Sequence, residues 1–599
     1  MAELAIRAKG DRYVPVGGHR ALREGLRRRL AGRSLTAVLF HCFDRRTRLL
    51  PFVFFDTRMV PAGIRQVGAS LLDAGFSDIR IVLQQWSPNV LPSRVRLDGR
   101  SPDVLMFSAM SLHGAALDAL LRDVATIPEG CRPLALVGGP HATYFPDHVF
   151  HVDGDAGVSA DAACMGEDFV LLDLLDRLVD RIGPGRSLRR AFQDAVGDGS
   201  LLDVPGLIYR TAHPHTGEPC LVHTGVQRLV QDLDELPGTL SAFGKVEPAH
   251  AGRELRGRPL DIGAIARKAP VCAVIFTQGC RFSCGYCPIP AYNQRGFRRK
   301  SGQRVAEELY ELGSHGIRAF FGADDNFFND RKGAEDICTA VAKFRRDRRG
   351  DRGVLYRWGT ESTLIDAEHN RDLLPVARAA GMQALWFGIE DLTANLVNKG
   401  QTAAKTASVF TALRHNGILP MPMLMHPTHQ PLFTRGSLSG LFNQIDFLRR
   451  AGAGSIQVTM LVPAAGTKWY EKTFEDGLVF ESVGGIPVPP RCFDGSHVVT
   501  GDQRLAWRSQ LGVLAGYAMF YNPVNLIGGL FLRDAWHLVG MRAAMQAIGM
   551  GGVAMSAVES LRWAAKLARG RIVRASQVPS PRLPILAPET FRPTVVGVG

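Results

Sequence analysis

Three cysteines stand at C-x3-C-x2-C spacing in the run Thr277-Gln-Gly-Cys280-Arg-Phe-Ser-Cys284-Gly-Tyr-Cys287-Pro288, just past the apolar stretch Val271 to Phe276. Three thiolates on one tight loop can hold three irons of a cubic iron–sulfur cluster and leave the fourth iron open to another ligand. Structural zinc is the competing use of such a loop, but it takes four ligands in paired knuckles. No second C-x2-C or H-x3-H pair occurs in the chain. Cys272, inside the apolar stretch, reads as a small buried hydrophobe rather than a fourth ligand.

Acceptors recur where other apolar runs end, in Phe321-Gly-Ala-Asp324-Asp325-Asn326, Gly359-Thr360-Glu361-Ser362 and Gly388-Ile-Glu390. Carboxylates there can accept hydrogen bonds from an ammonium or a hydroxyl. Each can equally cap the helix that follows, and Asn326 is a cap as much as a ligand.

These residues need a scaffold. Apolar runs at Ala37–Phe40, Ile79–Leu83, Val104–Phe107, Leu134–Val137 and Ala162–Met165 alternate with helix-length segments, which predicts a doubly wound parallel sheet. Several runs end in small or polar residues, notably Ser108, Gly138-Gly139-Pro140-His141-Ala-Thr143 and Gly166-Glu167, where open sheets place ligand loops. Further runs at 271–276, 317–321, 355–358, 384–387, 421–425 and 456–461, with helical patterns between them, predict six β/α units of a partial barrel. Barrel chemistry gathers at strand C-terminal ends, and the cysteine loop follows the first strand.

The cysteine segment, including Tyr286 before the third cysteine, resembles the radical SAM signature, and the region before it resembles the cobalamin-binding domain that precedes many radical SAM domains. The resemblance spans about 35–530 and implies an α/β fold: an N-terminal doubly wound Rossmann-like cobalamin-binding domain, a partial (β/α)6 radical SAM barrel and a helical C-terminal region. Its divisions are a basic arm at 1–34, the cobalamin-binding domain at 35–185, a linker with a hairpin at 186–269, the barrel at 270–470, a mostly helical region at 471–577 and an irregular tail at 578–599. The implied cofactors are a 4Fe-4S cluster on Cys280, Cys284 and Cys287, S-adenosyl-L-methionine near Tyr286, Asp324, Asp325, Glu361 and Glu390, and cobalamin against Ser108, Gly138, Gly139, Pro140, His141, Gly166 and Glu167. The D-x-H-x-x-G motif that supplies a cobalt-ligating histidine in methionine-synthase-like proteins is absent, and His41 and His113 read as core or surface residues. Pro463-Ala-Ala-Gly-Thr467 resembles a Pro-x-Pro-Gly-Thr segment of relatives. The implied activity is C-methylation of an unactivated carbon of an apolar or natural-product substrate, through a 5′-deoxyadenosyl radical and methylcobalamin.

The same architecture serves non-methylating cyclases and rearrangement enzymes, which stay open as the alternative, with a non-catalytic iron–sulfur redox protein as the rival of another class. A radical methylthiotransferase carries three further N-terminal cysteines, and Cys42, Cys131 and Cys164 do not match them. The bulk properties fit a multidomain globular enzyme: 599 residues, 46% hydrophobic and 21% charged. Ten unevenly spaced cysteines do not form a secreted disulfide framework, which with an oxygen-sensitive cluster predicts a reducing cytoplasm. No signal-peptide pattern is read at the start. The formal charge of +14 is read as solvated arginine faces, not a nucleic-acid interface. The uncharged stretch 511–532 is interrupted by Asn522-Pro523, and reads as packed helices or a lid rather than a span. Residues 541–574 read as an interfacial helix with basic residues at its end. The expected partners are a small, lipid-like substrate, an external electron donor such as flavodoxin or ferredoxin, and a peripheral membrane contact.

Overall fold

The computed structural model describes residues 4–47, 50–150, 160–183, 187–531 and 534–592. Five strands, β1 (Thr36–His41), β2 (Asp78–Leu83), β3 (Val104–Ser108), β4 (Leu134–Gly138) and β5 (Ala162–Cys164), lie parallel in the order β2-β1-β3-β4-β5. They read as unbroken apolar runs because helices cover both faces, among them α1 (Ala62–Asp73), α2 (Gly114–Ala125) and α3 (Asp168–Val179). The strand order reverses between β1 and β3, the position at which open sheets leave a ligand crevice. The hairpin read as a linker adds β6 (Leu207–Ala212) and β7 (Pro219–His223) antiparallel beside β5. Within the tail, Ile585–Leu586 pairs parallel with β7. The basic arm carries the helix Gly18–Leu30, which is fixed to α3 by His19 Nε2 at 3.2 Å from Asp168 and by Arg29 at 3.1 Å from Asp180.

The second sheet has six parallel strands in sequential order: β8 (Cys272–Val274), β9 (Ala319–Gly322), β10 (Arg357–Ser362), β11 (Met382–Glu390), β12 (Leu419–His426) and β13 (Gln457–Met460). The crossovers include α4 (Gly302–Ser314), α5 (Arg331–Asp347), α6 (Ala403–His415) and α7 (Leu441–Arg450). The Ser301 and Thr402 side chains accept from the backbone N–H groups of Arg304 and Lys405, starting α4 and α6 where N-cap chemistry predicts.

An open half barrel has two unpaired edges, and both are covered here. At β8, Val60 pairs with Cys272. At β13, α8 (Gln503–Phe520) and the residue after it supply two tyrosines. The Tyr521 hydroxyl bonds the Ile456 N–H at 2.7 Å and the Ile456 carbonyl at 2.7 Å. The Tyr517 hydroxyl does the same for Val458, at 2.7 and 2.9 Å. Between the edges, Phe52 and Phe55 pack with Ala384, Trp386, Leu419 and Met421, together with Leu538, Met541 and Met545 of a C-terminal helix. Tyr521→Phe strands a buried donor and acceptor, so it should lower unfolding stability by about 1–3 kcal/mol, read from the denaturant midpoint of the cofactor-free chain. A change under about 0.5 kcal/mol would mean that water reaches this edge.

Candidate functional site

Gly279 opens the cysteine loop at φ 97°, and a Cβ there would stand 2.0 Å from the Gly296 carbonyl oxygen, so the sharp turn needs glycine. The loop is held from beneath by the segment that follows β9. Asp324 Oδ1 accepts from the backbone N–H groups of Phe276 (2.9 Å) and Thr277 (2.7 Å), while its Oδ2 accepts from the Thr360 hydroxyl at 2.5 Å. Asp325 Oδ2 accepts from the Gly279 N–H at 2.6 Å and from Asn293 at 3.1 Å. Asn329 Oδ1 accepts from the Arg281 N–H at 2.8 Å, and Asn326 donates to Asp366 at 2.7 Å. Each of the two aspartates expected near the S-adenosylmethionine ammonium therefore gives at least one oxygen to the backbone of the loop. Burial pushes the Asp324 carboxyl up to about 6, against the pull of those hydrogen bonds.

The three thiols cluster on this loop. Burial raises Cys280 and takes Cys287 to about 12, and the neighbouring thiols and Asp325 push in the same direction. Thiolates are therefore unfavourable there until a cation offsets them, as cluster iron does. Among the described residues no three His, Cys, Asp or Glu side chains converge to hold a single ion. A small cleft adjoins Cys284 and Cys287, bounded by Gly466, Thr467 and Lys468 of the Pro463–Thr467 segment and its successor.

Beside the loop, the Tyr286 hydroxyl donates to Glu390 Oε1 at 3.0 Å, and Lys399 Nζ reaches the same oxygen at 2.8 Å. Glu390 holds φ 61°, a left-handed backbone rare for a side-chain-bearing residue and a marker of functional geometry. Lys399 and Trp469, whose ring centroid is 5.6 Å from that of Tyr286, complete this corner. Neither was assigned a role from sequence. Trp469 has no motif to announce it, and Lys399 lies nine residues past Glu390 in a segment without a distinctive pattern.

Glu361, on β10, is partly buried and makes no hydrogen bond or ion pair among the described residues, yet lies within the field of Asp325, Asp324 and Glu390. Burial first, and those carboxylates second, push its carboxyl up to about 8. Near neutral pH it is a hydrogen-bond donor facing other carboxylates. A folded-state value above the unfolded one means that ionisation opposes folding. Stability is lost as pH rises from about 4.5 through about 8. Glu361→Gln should flatten that slope and stabilise the cofactor-free chain at pH 8.5 by about 1–2 kcal/mol, after a discount for solvent reaching the group. Equal denaturant midpoints at pH 8.5 and an unchanged pH slope would contradict the assignment.

The doubly wound sheet carries the second half of the site. At the C-terminal ends of its strands a crevice is lined by Ser108, Gly138, Gly139, Gly166, Glu167 and Asp168, backed by apolar side chains such as Met106 and Leu171. Gly139 has φ 86°, and a Cβ would meet the Ser108 Oγ and Ala109 oxygen at 3.0 Å. Gly166 has φ 124°, and a Cβ would stand 2.0 Å from Gln227. Pro140 and His141 lie just beyond, opening the short helix Pro140–Tyr144. His141 is buried with Nδ1 unpartnered, and burial pushes its imidazole down to about 4. Glu167 is tied to the protein: its N–H donates to Gln227 at 2.8 Å, its Oε2 accepts from Val230 at 2.8 Å, and Arg298 pairs with it at 2.6 Å. Since Arg298 follows the cysteine loop, this ion pair couples crevice and loop. His113 Nδ1 accepts from the Asp44 N–H at 3.1 Å, and burial holds His41 and His113 neutral, at about 4 and about 3.

No family model matches the chain. An uncharacterized methyltransferase of Pyrococcus horikoshii is 22% identical over 413 residues, covering 68% of this chain and 74% of the relative. The hopanoid C-3 methylase of Methylococcus capsulatus is 26% identical over 498 residues, 80% of this chain and 81% of that one. Among solved structures, the radical S-adenosylmethionine methyltransferase TsrM from Kitasatospora setae, with cobalamin and a 4Fe-4S cluster bound, matches with TM-score 0.57 at 14% identity, over 86% of this chain and 99% of the other. At this identity the likeness is one of fold, and it extends over most of the chain.

Proposed function

We infer that the chain is a cobalamin-dependent radical SAM enzyme that methylates carbon. One observation carries this reading: the cysteine loop of the half barrel and the glycine-lined crevice of the doubly wound sheet occur in one chain and are joined through Arg298 and Glu167. When bound, the cluster, S-adenosylmethionine and cobalamin supply the hydrogen-abstracting and methyl-donating power that side chains lack.

The chain's own residues bind, orient and exclude water. Cys280, Cys284 and Cys287 are the cluster ligands, with Asp324 and Asp325 fixing their loop. Glu361 and Glu390 offer a neutral donor and a paired carboxylate to hydroxyl or amino groups of S-adenosylmethionine, with Tyr286 and Lys399 setting the position of Glu390. Ser108, Gly138 and Gly139 leave room for cobalamin and keep the backbone close to it.

An apolar substrate suits the methionines of β12. Met421, Met423 and Met425 alternate along that strand and so share one face, and Met421 packs with Trp386 on neighbouring β11. Methionine side chains adapt their shape to apolar partners. Placement in the cytoplasm, a role in secondary metabolism and reduction by an external flavodoxin- or ferredoxin-type donor belong to the same reading.

The test is anaerobic incubation of the reconstituted chain with methyl-labelled S-adenosylmethionine, a strong reductant and an apolar metabolite extract. Label should enter an organic-soluble product at a carbon position. Deoxyadenosine formed with no transferred label would instead favour a cyclase or rearrangement enzyme.

A further inference from the structure

The C-terminal helix α10 (Trp536–Arg569), which follows the short helix α9 (Pro523–Leu530), buries apolar residues such as Leu538, Trp563 and Leu567 together with polar ones. Toward the protein it buries Arg542, Gln546, Ser556 and Ser560, with Arg542 at 2.8 Å from Asp534. Outward, the exposed residues from Trp536 to Leu561 are uncharged, small over the middle (Gly540, Ala544, Ala547, Gly551, Ala554) and large at the end, with Met555 (62%), Val558 (57%) and Leu561 (51%). The neighbouring α9 adds Val524 (78%) and Ile527 (56%), and Phe531 (81%) and Trp536 (86%) stand between the two helices. Single exposed hydrophobes are ordinary, but a contiguous face of them marks an interaction surface.

This helix is the one described element long and apolar enough to cross a membrane by length and composition, and only 28% of its most apolar window is buried. Spanning is disfavoured by the side that packs on the protein. Leu538, Met541 and Met545 join the barrel-side cluster with Trp386 and Met421, and the buried Arg542 lies on the same side. The helix therefore lies along the body of the protein with its apolar face outward. At its end Arg562, Lys566 and Arg569 are exposed and in no ion pair among the described residues. An apolar face with an aromatic at one end and free cations at the other is complementary to an anionic bilayer, which accepts the side chains at the acyl boundary and the cations among its headgroups.

We propose that this face docks the enzyme on anionic membrane, with α9 and α10 lying in the interface. On its other side the docked helix packs on the barrel, where Leu538, Met541 and Met545 meet Trp386 and Met421. It therefore holds a bilayer within one helix diameter of the barrel, about 10–12 Å.

The full chain is mixed with vesicles of phosphatidylcholine alone and of phosphatidylcholine with phosphatidylglycerol. Binding is followed by co-sedimentation and Trp536 emission, with Trp536→Phe identifying that signal among the seven tryptophans. The anionic vesicles should bind at least ~10-fold more tightly and blue-shift Trp536, and Val558→Asp should weaken binding by ~10-fold or more with unchanged circular dichroism. The milder Ile527→Ser should act in the same direction. Failure to sediment with either vesicle, or a lipid-free dimer that shields Trp536, overturns the proposal. The assay needs no cofactor, so its failure leaves the methyl-transfer reading standing.

Discussion

Cys284→Ala should eliminate the cluster absorbance and reduce S-adenosylmethionine cleavage below detection, with secondary structure unchanged. Two thiolates cannot hold three irons, and the loop from Cys280 to Cys287 contains no further cysteine to replace the one removed. The structural effect is small because Cys284 is only partly buried and the turn is held by the Asp324 and Asp325 hydrogen bonds to Phe276, Thr277 and Gly279. Cys272→Ala is the control: that thiol is buried in β8, and its loss should leave iron and sulfide content unaltered. Full cluster absorbance in Cys284→Ala would remove the basis for radical chemistry.

Gly138→Leu should reduce cobalamin binding by ~100-fold or more while cluster assembly proceeds. Gly138 lines the crevice, and a Cβ there meets only the Cys164 carbonyl oxygen at 3.6 Å, an ordinary contact. A leucine can thus enter without backbone strain and occupy space required by the corrin or its tail, unlike changes at Gly139 or Gly166, where the backbone itself forbids a side chain. Lost binding affinity converts to about 2.7 kcal/mol for 100-fold. Cobalamin retained by gel filtration at wild-type stoichiometry would place its site elsewhere.

Periodicity and punctuation made the two sheets legible, because parallel strands covered on both faces appear as short apolar runs that stop at glycine or carboxylate. The cysteine spacing was equally direct, since ligand count is written in residue types. The roles of Asp324 and Asp325 were harder to read. A carboxylate pair at a strand end looks the same whether it receives a ligand or backbone N–H groups, and backbone donors leave no trace in a sequence. Closure of the half barrel was hidden for a related reason. Tyr517 and Tyr521 cap β13 from about 60 residues away, through hydroxyls whose partners are set only by tertiary packing. The uncharged stretch near 511–532 showed that something apolar was present, and its outward-facing part, α9 with Phe531, became recognisable only with α10 alongside; Leu532 lies outside the described residues.

The most direct test of the central claim is simultaneous quantification of 5′-deoxyadenosine and S-adenosylhomocysteine from the anaerobically reconstituted chain, with cobalamin bound, reductant present and a methyl acceptor turning over. Both products, formed in equal amounts with the methylated product, are what the account predicts. Turnover of the acceptor without S-adenosylhomocysteine, or with no cobalamin retained by the protein, would contradict it.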